Sequence, residues 1–376
     1  MAAPTNYFVD PSIAADSGDG SIGVPYGDLQ HAIDSITRNT TNGDQINIKF
    51  GTDEVLTAAL DLATSYGVPT NAAPLIFRGY TSVADDGGEG GINAGGGATG
   101  VINRSTLEGV HFIDLHLHNT TANCVRLDRY NIIHNCRIND CSSNGIVLGA
   151  YSRVENCYLY DVGGRGIEIL SVGGQVWGCY LKNGPTESFS GAIKLGTSGG
   201  CAAFNVIDID GSSDGITIGY GGLVANNSIY LSDGTGNGIE TTGSGNYSNS
   251  VINNLIEINH ASAVGITDAS GTGNSFGVYG HNAVYAPLGT EYDVAGGSVD
   301  IRGSNLALSA TPFVNASGGD FRINPQAGSD DVKASGWPTA AKRRGLETYV
   351  QAIDRGGMQR REWALTHAGM AGGING

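Results

Sequence analysis

Positive charge is what this sequence has least of. Lys and Arg together number 20 against 36 Asp and Glu, a formal net charge of −16 over 376 residues. Such a surface repels phosphate, so nucleic acid and anionic membrane faces are not expected partners. Long apolar runs are missing too. No stretch reaches the roughly 18 consecutive apolar residues of a spanning helix, so membrane insertion is not expected. The opening Met1-Ala2-Ala3-Pro4-Thr5-Asn6-Tyr7-Phe8-Val9-Asp10 has no basic region followed by an apolar segment, and secretion is not expected. Cysteines are few and show no pairing pattern. Cys124, Cys136, Cys141, Cys157, Cys179 and Cys201 include no C-x-x-C spacing. That argues against structural zinc and gives a disulfide framework little support. The expectation is a chain made in a reducing cytoplasm, with free thiols and no cofactor.

Glycine, by contrast, is abundant at 60 residues, without the three-residue period of collagen. With 40% apolar residues and 16 Tyr, the chain can bury a core, so disorder describes it poorly. Two short motifs alternate from about residue 110 to 285. The first is x-N-C-x-I, as in His134-Asn135-Cys136-Arg137-Ile138, Glu155-Asn156-Cys157-Tyr158-Leu159 and Trp177-Gly178-Cys179-Tyr180-Leu181. It continues as Asn205-Val206-Ile207, Asn227-Ser228-Ile229, Asn254-Leu255-Ile256 and Asn282-Ala283-Val284. The central positions 136, 157, 179, 205, 227, 254 and 282 are 21, 22, 26, 22, 27 and 28 apart. The second motif is G-I-x-I, as in Gly145-Ile146-Val147-Leu148, Gly166-Ile167-Glu168-Ile169 and Gly215-Ile216-Thr217-Ile218. Apolar residues alternate with period two, bounded by Gly, Asn, Ser or Asp, which is strand punctuation. Strands this short, repeated at one coil length, are stabilised by stacking parallel on themselves. The pattern predicts an all-β, right-handed parallel β-helix.

Ladders follow from that stacking. Leu115, Cys136, Cys157 and Cys179 are expected as a buried inward column, their thiols acting as small apolar groups. Asn205, Asn227, Asn254 and Asn282 continue it as an asparagine ladder. Residues 27–38 have helical apolar spacing and predict an N-terminal helix that caps the first coil. Ile46-Asn47-Ile48 and Leu75-Ile76-Phe77 read as early strands, and Asp85 to Gly100 as a long loop. The expected division is an entry segment with capping helix at 1–45, the β-helix at 46–300, and a C-terminal cap and extended arm at 301–376.

The entry Tyr7-Phe8-Val9-Asp10 … Asp16-Ser17-Gly18-Asp19-Gly20-Ser21 … Pro25-Tyr26-Gly27-Asp28-Leu29-Gln30 resembles that of right-handed parallel β-helix repeat proteins, the pectate-lyase-like superfold. So do the exit segments Thr311-Pro312-Phe313-Val314-Asn315 … Gly319-Asp320-Phe321-Arg322-Ile323 and Ile353-Asp354-Arg355-Gly356-Gly357. An Arg-Gly pair stands where the family commonly has Ile-Gly or Leu-Gly. The resemblance spans nearly the whole chain and is specific for fold, since this scaffold hosts lyases, hydrolases, adhesins and phage spikes. The N-T-D, D-D, G-H-G and R-I-K motifs of the polygalacturonase-like hydrolases are absent, Arg137-Ile138-Asn139-Asp140 being a partial echo of the last. The resemblance to pectate-lyase-like members implies acidic calcium ligands, for which Asp140 and Asp161, one coil apart, are the candidates. The competing reading, preferred here, is that Asn119, Asp140, Asp161 and Asn183 form a turn column.

Asp114, His116 and His118 alternate with Leu115 and Leu117 and should face outward together. A His-x-His pair can bind metal. Arg137, however, lies 21 residues beyond His116 and would oppose a cation, so surface polar residues are expected. Glu168 and Lys194 are expected as an exposed cross-strand ion pair; Asp208, Asp210, Asp214 and Asp233 could host a glycosidase acid pair, but Asp210 and Asp214 flank a Gly-Ser-Ser turn, where Asp is expected anyway. No catalytic set stands out. The expected function is a non-enzymatic bacteriophage virion protein, a capsid decoration or short spike, with the major capsid protein and a surface glycan as partners. The alternative is a polysaccharide lyase or glycoside hydrolase of the same fold. A homotrimer is expected, packed through an outward strip of Tyr158, Tyr180, Val206 and Leu255, with Trp363 in the tail docking on a neighbour.

Overall fold

The computed structural model describes residues 3–324, except 15–16, 63–65, 96, 185, 211–212, 243–248, 270–276, 295–298 and 301–304. The tail carrying Trp363 and the expected arm lies outside the described residues. Two compact units are present, the first Met1–Ser190 with Lys194–Gly196, the second Gly191–Ile193 with the chain from Thr197 on.

In the first unit, from the coil of Leu75–Tyr80 on, each coil contributes a strand to each of three parallel sheets. The first sheet stacks Thr5–Val9, Asp44–Lys49, Leu75–Tyr80, Val110–Ile113, Ile132–His134, Arg153–Glu155 and Gln175–Trp177. The second stacks Glu54–Val55, Gly90–Asn93, Leu115–Thr120, Arg137–Cys141, Tyr158–Val162 and Tyr180–Lys182. Strands including Ile102–Asn103, Val125–Arg126, Ile146–Leu148 and Arg165–Ile169 form the third. Each step of 21 or 22 residues returns a side chain to the same face, so Leu117, Ile138, Leu159 and Leu181 form one fully buried core column. The helix, α1 (Leu29–Ser35), is capped by the Asp28 carboxylate accepting from the His31 N–H, and buries Leu29, Ala32 and Ile33.

The second unit repeats the plan, for example with Val206–Ile209, Ser228–Leu231, Leu255–Ile258 and Ala283–Tyr285 in its second sheet. The asparagine ladder is complete there. Asn205 Nδ2 donates to Asn227 Oδ1 at 3.0 Å, Asn227 to Asn254 and Asn254 to Asn282 at 2.9 Å each, and Asn282 to Asn305 at 3.1 Å. The backbone N–H of each donor residue reaches the same oxygen. In the first unit Leu115, Cys136, Cys157 and Cys179 are buried, and none of these thiols is in a disulfide. Their Sγ atoms donate to the carbonyls of Phe112, Ile133 and Val154 at 3.4, 3.5 and 3.7 Å.

Two expectations are corrected. The run Asp85 to Gly100 contains the strand Gly90–Asn93. Its glycines hid it, yet they are what the packing demands: a Cβ on Gly90 would lie 2.6 Å from the Ile48 carbonyl oxygen. The outward strip is corrected as well. Val206 and Leu255 point away from the core but are 0% and 1% exposed. A hairpin of Phe313–Asn315 and Asp320–Ile323 folds back onto this face. Thr311 Oγ1 donates to Glu257 Oε2 at 2.5 Å, the Tyr230 and Ser317 side chains hydrogen-bond, and Phe313 and Phe321 are fully buried in edge contact. The chain itself covers the apolar strip, and Tyr158 and Tyr180 remain half-buried on the first unit.

Candidate active site

The outer face of the second sheet in the first unit collects the polar chemistry. Register places Gly91, His116, Arg137, Tyr158 and Tyr180 in one outward column, and Asn93, His118, Asn139, Tyr160 and Lys182 in the next. Asp53 precedes the first strand of this sheet, and its carboxylate lies across Gly91, where an added Cβ would sit 1.8 Å from Oδ1. Only glycine leaves that path open. Asp53 Oδ2 thereby reaches His118 Nε2 at 2.9 Å. The His116 and His118 rings stack at 4.2 Å between centroids, 8° from parallel. Arg137 Nη2 donates to His116 Nδ1 at 2.8 Å, and His116 Nε2 stands 2.5 Å from Asn139 Oδ1. An acceptor at Nδ1 requires the proton on Nε2, so His116 is held as one neutral tautomer. Burial, with the Arg137 charge adding, lowers its proton affinity further, against the Asn139 hydrogen bond. Glu89 Oε1 lies 4.0 Å from Arg137 Nε. The Tyr158 ring stacks with Tyr160 at 6.2 Å and tilts against Tyr180 at 5.4 Å, an aromatic floor beside the charged cluster.

Among the described residues, Asp53, His116 and His118 form the grouping that could hold a cation, their ligand atoms all within 4.8 Å of one another. The guanidinium on His116 Nδ1 opposes it, as the 21-residue step from 116 to 137 predicts. Asp114 does not join this face. It sits at the corner before the strand in left-handed conformation and accepts from Asn135 Nδ2 at 2.5 Å.

Asp140 and Asp161 do not fit a calcium site. Asn119, Asp140 and Asp161 all have φ near +60° (60°, 55° and 58°), the conformation of a turn column that Asn and Asp tolerate. Asp161 is buried and occupied by the backbone N–H groups of Thr186 and Glu187 at 3.1 and 2.5 Å and by the Thr186 hydroxyl. Asp140 stands exposed and accepts from Asn139. Glu168 meets Lys194 at 3.1 Å as expected and Arg165 at 3.2 Å, but its carboxylate is largely buried rather than exposed. Of the second-unit acids, Asp214 hydrogen-bonds Glu240, whose carboxyl is pushed up to about 7 by burial and by Asp214.

The sequence pattern does not single out Asp53, Glu89, Asn139 or Tyr160 as site residues. For Asn139 and Tyr160 a signal exists, because they lie one and two 21-residue steps beyond His118. Asp53 gave none, since a two-residue strand has no period to read.

No family model and no curated protein sequence matches this chain. Several solved structures do. The pectate lyase Pel9A aligns with 87% of this chain and 91% of its own, at TM-score 0.51 and 12% identity. A rhamnogalacturonan lyase covers 82% of this chain and 90% of its own, at TM-score 0.44 and 13% identity. An alginate lyase from Paenibacillus sp. str. FPU-7 covers 71% and 97%, at TM-score 0.42 and 15% identity. Polysaccharide lyases and glycoside hydrolases predominate among these structures. At 12% identity the first of these likenesses speaks for fold, and with the three parallel sheets it identifies the chain as a right-handed parallel β-helix.

Proposed function

We propose that this protein is a polysaccharide lyase that cleaves a uronate-containing glycan on the outer face of the second sheet. The observation that carries the reading is the Arg137–His116–His118–Asp53 cluster beside the Tyr158, Tyr160 and Tyr180 floor. Elimination needs three things at one place: a cation on the sugar carboxylate, a base for the proton on C5, and a donor for the departing O4. Arg137 supplies the first. Asp53 takes the Nε2–H of His118, which leaves Nδ1 as a proton acceptor. The C5–H electron pair becomes the C4=C5 double bond, the C4–O4 bond breaks, and a tyrosine hydroxyl protonates O4. Hydrolysis is less well supported. The carboxylates on this face, Asp53 and Glu89, lie against His118 and Arg137, the placement of orienting groups. This reading takes precedence over a non-enzymatic virion role because the cluster exists only once the coils are wound, and a purely structural face has no need of it.

The test is ultraviolet detection of unsaturated product from polygalacturonate, tried first because one protein of similar fold is a pectate lyase, then from alginate and rhamnogalacturonan. Arg137→Ala should lower turnover by about 10²–10³-fold and His118→Ala by about 10²–10⁴-fold, with circular dichroism unchanged. Reducing ends without unsaturated product would mean hydrolysis, and no cleavage of any of the three would end the proposal.

A further inference from the structure

Charge is laid out unevenly along the outer face of the second sheet in the first unit. Among the described residues of its two outward columns, Arg137 and Lys182 are the Lys and Arg side chains. Two carboxylates come in from the rungs before the histidines. Asp53 Oδ2 reaches His118 Nε2 at 2.9 Å, and Glu89 Oε1 lies 4.0 Å from Arg137 Nε. Asp140 stands exposed at the corner of the Arg137 rung, beside Asn139. On the other side of Arg137 the next rung holds Tyr158 and Tyr160, and the rung after it Tyr180 and Lys182. Arg137 is thus bounded by acids on one side and by a rung of phenol rings on the other, with the next cation two rungs on. Successive rungs are about 4.8 Å apart, close to the advance of one pyranose in an extended glycan.

We infer that the substrate is a glycan in which a uronate alternates with an uncharged sugar. One uronate sits on Arg137, the uncharged sugar on the Tyr158 and Tyr160 rung, and the next uronate at Lys182. The inference rests on the elimination reading above and narrows it. A chain with a carboxylate on every sugar would set one over the phenol rings, away from any cation of these columns. On the opposite side it would set another against Asp53 and Glu89. An uncharged sugar suits both places. Its C–H face lies on a tyrosine ring, and its hydroxyls can donate to the two carboxylates. Cations two rungs apart, with aromatic rings between them, match a polymer whose charge recurs at every second sugar.

The test compares initial rates of unsaturated product from two polymers of galacturonate. In rhamnogalacturonan it alternates with rhamnose, and in polygalacturonate it follows itself. The ratio kcat/KM should be higher on rhamnogalacturonan by about tenfold or more, the scale of one like-charge contact avoided. Partial methyl esterification of polygalacturonate removes charge without changing the linkage and should raise its rate. Lys182→Met should raise KM on rhamnogalacturonan by about tenfold with kcat and circular dichroism held, and Lys182→Arg should restore it. Glu89→Gln, whatever it costs in rate, should narrow the preference between the two polymers by admitting the extra carboxylate. Three results would each overturn the inference and leave the lyase reading in place: polygalacturonate cleaved as well as rhamnogalacturonan or better, a rate that falls steadily with esterification, or an unchanged KM in Lys182→Met. Cleavage of alginate in place of both would do the same, and cleavage of none of the three polymers would end both readings.

Discussion

At the scale of single residues, the interior is organised by groups that must be satisfied along the stack. Asn227 shows the demand. Its Nδ2 donates to Asn254 Oδ1 at 2.9 Å and to the Ala202 carbonyl at 3.0 Å, and its Oδ1 accepts from both the backbone and the amide of Asn205 at 3.0 Å. Replacing it leaves buried partners on two neighbouring coils without a bond. Asn227→Ala should therefore cost about 2–4 kcal/mol, read as a lower denaturant midpoint. The cysteines of the first unit use the same geometry with a weaker donor, and burial raises the Cys179 thiol well above its ordinary range. Both ladders could be read from the sequence, because the identity of the residue and its spacing recur together.

At the scale of elements, the capping helix is tied down by an acid the sequence did not single out. Glu54 accepts from the Leu29 N–H at the start of α1, and its carboxyl is pushed up to about 7 by burial, with the Asp28 charge adding. A raised carboxyl pKa favours the protonated folded form. The resulting stability is full below the unfolded value of about 4.5 and is lost as pH rises to about 7. The loss should be on the order of 2–3 kcal/mol for this largely buried group. Thermal midpoints measured from pH 4 to 8 (roughly, the window that brackets both values) should fall in the wild type and fall less in Glu54→Gln. Glu240 titrates over the same interval with the same sign, so Glu54→Gln and Glu240→Gln together should flatten the profile further. The helix itself was legible from its apolar spacing. The Glu54–Val55 strand was not, since two residues show no alternation and their place is fixed only by Ile92 and Asn93 across the ladder.

At the scale of the whole molecule, the C-terminal hairpin decides which surface is outside. Phe321 is fully buried 5.0 Å from Phe313, over a face whose outward Val206, Ser228 and Leu255 are themselves buried. Phe321→Ala should cost about 3–5 kcal/mol and loosen the hairpin, with hydrogen exchange rising at residues 313–323 and a hydrophobic dye bound at the uncovered strip. A trimer remains a proposal at this scale, and one using Val206 and Leu255 would first have to displace that hairpin. Coil length, strand alternation, the inward ladders and the turn column were determined by the sequence alone, because a stacked fold repeats each local choice every 21 to 28 residues and so writes it several times. The candidate site and the covered strip were decided by tertiary structure. Asp53 and His118 are 65 residues apart, and Thr311 and Glu257 are 54. Each contact is made once, so no repetition marks it in the chain.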